Sequence, residues 1–110
     1  MPLYELRWMF NDATIKAMAE KPEDHEPPAR ELVESFGGKL HHYYFMLGEY
    51  DGLAIVEFSD NASTAVTSMC ASAVSAFARF EAHPLMTAHE AQRAMQMVKD
   101  SKVGYRAPNA

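Results

Sequence analysis

Hydrophobic and polar positions alternate along Leu3 to Phe10, with Tyr4, Leu6, Trp8 and Phe10 on one side and Leu3, Glu5, Arg7 and Met9 on the other. A repeat of two is the signature of a half-buried strand. Two further apolar runs, Leu40–Leu47 and Leu53–Phe58, flank Gly48-Glu49-Tyr50-Asp51-Gly52. Their β-branched and aromatic residues suit a pleated surface, and the glycines and Asp51 suit a reversal, so this stretch predicts a hairpin. Alternation returns from Ala76 to His83, where Ala76, Ala78, Phe80 and Ala82 oppose Phe77, Arg79, Glu81 and His83, predicting a fourth strand.

Helical signals fill the gaps. Asn11-Asp12 caps a short turn from Thr14 to Ala19, which Lys21-Pro22-Glu23-Asp24 breaks. Pro27-Pro28 opens a second helix whose apolar face is Leu32, Val33 and Phe36 and which Gly37-Gly38 ends. Ser59-Asp60-Asn61 caps a third, with Ala65, Val66, Met69 and Cys70 at helical spacing. Thr87-Ala88-His89-Glu90 fits a capping box ahead of Ala91, Ala94, Met95 and Val98. The lone Cys70 reads as a small core residue.

Strand, helix, strand, strand, helix, strand is the split β-α-β order. The predicted fold is therefore α+β and ferredoxin-like, a four-stranded antiparallel sheet in the order four-one-three-two with an extra C-terminal helix. Residues 1–98 form one domain and 99–110 a polar tail. A turn closed by Gly48 and Asp51 sets Met46 opposite Leu53, Tyr44 opposite Ile55 and His42 opposite Glu57 on one face, with His41 opposite Phe58 on the other. Leu6, Trp8, Phe10, Val56, Phe58, Ala78 and Phe80 then face the helices. The other side gathers Glu5, Arg7, His42, Tyr44, Glu57, Arg79, Glu81 and His83 among Met9, Met46, Leu53, Ile55 and Phe77.

The 110 residues suit one domain, and a hydrophobic fraction of 48% is that of a globular chain. Ten basic and 15 acidic residues give a net charge of -5, with no Lys/Arg cluster. That argues against nucleic acid or an anionic membrane as a partner. No apolar run approaches the ~20 residues that span a bilayer. The amino terminus lacks a signal-peptide pattern, and a cytoplasmic protein is the simplest expectation.

The run Leu47-Gly48-Glu49-Tyr50-Asp51, preceded by Gly37-Gly38-Lys39 and Tyr43-Tyr44, resembles the GYD-domain family, named for a Gly-(x)-Tyr-Asp motif at this turn. The likeness spans about Leu3 to Met95. It implies kinship with dimeric α+β-barrel proteins, whose sheets pair face to face, and it implies no particular activity.

A homodimer through the mixed face is expected independently, because Met46, Leu53, Ile55 and Phe77 would otherwise leave an apolar patch uncovered. Such a face encloses a cavity suited to a small organic ligand. Within it, His42 against Glu57 is the acid/base candidate, and Arg7 completes the catalytic set by holding a carboxylate or enolate oxygen. Tyr44, Arg79, Glu81 and His83 are the substrate-binding candidates. Two histidines and a carboxylate can also hold zinc or iron, but here they lack ligand-like spacing, and no metal or cofactor is expected. Tyr50 and Asp51 read as turn-shaping residues. Three readings stand: an enzyme performing proton transfer or cofactor-free oxygenation, a noncatalytic ligand-binding module, and a purely structural dimer.

Overall fold

A computed structural model describes residues 2–102 and 104–109. Its elements are β1 (Leu3–Phe10), α1 (Asp12–Glu20), α2 (Glu26–Ser35), β2 (Lys39–Phe45), β3 (Gly52–Glu57), α3 (Asn61–Ala73), β4 (Phe77–Leu85) and α4 (Ala88–Asp100). The strands form one antiparallel sheet in the order β2-β3-β1-β4. This is the predicted ferredoxin-like α+β arrangement with its additional C-terminal helix. The caps act as their residue types require: Asn11 accepts from the Thr14 N–H at 2.9 Å and Asp60 from Ser63 at 2.8 Å, and Thr87 and Glu90 close a capping box. Gly37, at φ 79°, ends α2 in the left-handed conformation that costs glycine least.

The core lies between one side of the sheet and the helices. Tyr4, Leu6, Trp8, Leu40, Ala54, Val56 and Phe58 are buried there with Val33 of α2. The buried Tyr4 hydroxyl is satisfied by Asn61 Oδ1 at 2.5 Å. From α3 the residues buried are Thr64, Thr67 and Ala71, whereas Val66 and Met69 are exposed, and so is Cys70. The expected apolar stripe of α3 is thus turned outward and Cys70 is no core residue. The threonines tolerate burial because each hydroxyl is bonded to a carbonyl one turn back, Thr64 to Asp60 at 3.2 Å and Thr67 to Ser63 at 3.0 Å.

Two bulges alter the expected side-chain parity. The β2–β3 register runs Leu40↔Val56 and then His42↔Ile55, leaving His41 as the extra residue. The β1–β4 register runs Met9↔Arg79 and then Phe10↔Phe77, leaving Ala78 extra. An inserted residue reverses the faces beyond it. Phe77 therefore joins Phe80 and Trp8 on the helix side, at centroid separations of 5.2 and 6.4 Å, and does not lie on the open face. The pairing of His42 with Glu57 is likewise overturned, since His42 lies opposite Ile55 and Glu57 opposite Lys39. The turn is also longer than expected. The last strand pair is Phe45↔Gly52, and the Met46 N–H reaches the Asp51 carbonyl at 2.8 Å.

Asp51 explains that length. Its N–H donates to the Trp8 carbonyl and its carboxylate accepts from the Phe10 N–H, both at 2.8 Å, so the turn is fastened to β1 as well as to β2. Gly52 lies directly against the Trp8 indole, where a methyl group would collide with the ring. Gly52→Ala is expected to lower the free energy of unfolding by ~1–3 kcal/mol, the usual cost of overpacking a filled site. Urea denaturation measures this, and an unchanged midpoint would show that the indole is free to move away.

Candidate functional site

The side of the sheet facing away from α2 and α3 is open. Successive rows across it read His42, Ile55, Glu5, His83 and then Tyr44, Leu53, Arg7, Glu81, with Met9 and Arg79 beyond. Most of the charged groups thus sit on the β1 and β4 half, and Leu53 and Ile55 carry apolar surface towards β2, with Glu57 at the end of β3. Tyr44 is 57% exposed, so this surface is bare in the single chain.

The charged half is organised around Tyr50, which the turn holds over the sheet. The Tyr50 hydroxyl donates to Glu81 Oε2 at 2.5 Å, and Glu81 Oε1 meets His83 Nε2 at 2.8 Å. Arg79 Nη1 donates to the same hydroxyl at 3.4 Å and also approaches Glu49 and Glu81 at 3.6 and 3.8 Å. The Arg7 guanidinium stands 5.0 Å from the centre of the Tyr50 ring, a cation–π arrangement, and pairs with Glu5 at 2.8 Å. The result is one connected chain, Arg79 to Tyr50 to Glu81 to His83, with a second cation over the phenol. The Tyr50 hydroxyl bond holds the Glu81 carboxyl below its ordinary value, with the His83 bond next in weight and partial burial opposing both.

Of the residues singled out from sequence, Arg79 and His83 both contact Glu81, and Arg7 joins them through Tyr50. The other three are elsewhere on the face. His42 stacks on Tyr44 at 5.9 Å, with Tyr44 Oη 3.4 Å from His42 Nδ1. Glu57 pairs with His41 at 3.0 Å, and that bond is the main cause of its lowered carboxyl pKa. The bulge is what moves the partnership from His42 to His41. Three strand spacings of ~4.8 Å separate β2 from β4, which keeps His42 and His83 from sharing a metal ion. Among the described residues no three His, Cys, Asp or Glu side chains converge as a metal site, and no helix is long and apolar enough to cross a membrane.

Tyr50 is the site residue that sequence reasoning missed. Its position in a Gly- and Asp-containing turn reads as turn chemistry. The signal available was an aromatic residue at a turn that needs none.

A family model for the GYD domain matches residues 4–95, from β1 well into α4. The chain belongs to the GYD-domain family. No curated protein matches it. In this GYD-domain protein the motif residues divide the work: Gly48 takes a positive φ of 118°, Asp51 fastens the turn to β1, and Tyr50 reaches the charged face. In this chain the turn thus links fold and candidate site.

The lowered Glu81 pKa sets the sign of a pH effect. A depressed carboxyl contributes stability that is complete above its ordinary value of 4.5 and is lost as pH falls through the folded-state value. Tyr50→Phe removes the larger cause and is expected to move the Glu81 titration upward, as followed by the NMR signal of its side-chain carboxyl. An unmoved titration would show that the phenol does not bond to Glu81.

Proposed function

We propose that this GYD-domain protein is a small-molecule-binding protein acting as a homodimer, two copies meeting sheet to sheet and enclosing a small organic anion. The observation that carries this reading is the Tyr50–Glu81–His83 chain flanked by Arg7 and Arg79. Two guanidinium groups supply donors for a carboxylate or enolate oxygen. His83 uses Nε2 on Glu81, which leaves Nδ1 for the ligand. A carboxylate that stays ionised orients such an imidazole through Nε2 and keeps the Nδ1 lone pair aimed at a ligand, the arrangement general-base catalysis needs.

The reaction supported best is removal of a proton from carbon next to a carbonyl, with the negative charge that develops on oxygen held by Arg7 and Arg79. The same deprotonation would begin a cofactor-free oxygenation. Tyr44, with His42 beside it, extends the wall of the cavity on the β2 side. Leu53 and Ile55 supply apolar area for a second copy, and covering them excludes water from the charged half. One observation favours the structural reading instead: Arg7 is already paired with Glu5, so the face is partly self-satisfied.

Light scattering at micromolar concentration is expected to give a dimer, and a stable monomer contradicts the assembly. Pyruvate is expected to raise the melting temperature and, in D2O, to exchange its methyl protons faster than background. Both effects should vanish in folded Arg79→Ala and His83→Ala variants. Binding without exchange leaves the noncatalytic module, and a dimer indifferent to pyruvate and to related keto acids leaves the structural one.

A further inference from the structure

A second candidate site lies at the other side of the turn, beneath α1. This nine-residue helix buries none of its side chains, and helices shorter than ~12–15 residues are marginal in water without packing. It hangs from its N-terminal end, where the Asn11 N–H and side-chain amide bond to the Ala76 and Ser75 carbonyls at 3.0 and 2.7 Å. Ile15, Met18 and Ala19 face a groove of about 420 Å³, within the ~300–1,000 Å³ of small-molecule pockets. The opposite wall is aromatic, with Phe45 5.9 Å from Phe10 and 6.4 Å from the His25 ring.

The polar groups at this groove are acidic or unpartnered. Asp51 uses Oδ2 on the Phe10 N–H, which leaves the second carboxylate oxygen available. His25 Nε2 is buried with no hydrogen-bond partner among the described residues. Glu23 lines the rim and pairs at 3.3 Å with Lys21, which lies in the neighbouring groove across α1, and no Lys or Arg lines this groove itself. From this geometry we propose that the groove beneath α1 binds a small aromatic amine. Its ring stacks on Phe45 and its ammonium reaches Asp51. The ligand supplies the contacts that Ile15, Met18 and Ala19 otherwise lack, so α1 becomes a packed helix on binding.

The test uses the full chain with 2-phenylethylamine, against phenylacetate as the same ring with opposite charge. The amine is expected to shift the Ile15, Met18 and Met46 methyl signals saturably and to slow amide exchange in α1, with phenylacetate about tenfold weaker or worse. Asp51→Asn is expected to weaken the amine about tenfold. Phe45→Ala, at a position 54% exposed, should weaken it comparably without loss of the fold, and it carries the test if the Asp51 variant unfolds. No saturable shift, equal response to both compounds, or methyl shifts that follow protein concentration alone would overturn the proposal, the last by making a second copy the occupant.

Discussion

Everything notable about this fold passes through the attachment of the β2–β3 turn to β1. A hairpin turn normally answers only to its own two strands. Here Asp51 bonds to the backbone of Trp8 and of Phe10, and Gly52 allows the indole to approach the chain closely. A carboxylate bonded to a backbone N–H replaces water that this end of β1 would otherwise require, and such a group is costly to leave unsatisfied. With the turn fixed on both sides, Tyr50 is held over the sheet, and its hydroxyl meets Glu81 on β4. Asp51 also forms part of the wall under α1, so a single residue joins two regions of candidate chemistry.

The division of the sheet into a helix-packed side and an open charged side was readable from period-two alternation. So were the order of the elements, the caps of α1, α3 and α4, and the α2 stop at Gly37. These depend on local residue types and on which side of a strand a residue falls. The placement of Arg7, Tyr44, Glu57, Glu81 and His83 on one face was readable for the same reason.

What failed to show in the sequence were the two bulges. An extra residue leaves composition and apparent alternation almost untouched, yet it reverses every side chain beyond it. Through His41 it exchanged which histidine pairs with Glu57, and through Ala78 it carried Phe77 into the core. The orientation of α3 was hidden by a different cause: threonine can be buried when its hydroxyl bonds within the helix, so apolar spacing pointed to the wrong stripe. Tyr50 was obscured because its role depends on an Asp51 bond reaching to β1, a long-range contact that turn residues do not announce.

The most direct check of this account is the set of proton–proton nuclear Overhauser contacts made by the Tyr50 ring in solution. The structure predicts contacts from that ring to the side chains of Arg7 and Glu81, together with slow exchange of the Phe10 amide that Asp51 accepts. A Tyr50 ring without contacts to either residue, turning freely in solvent, would contradict it.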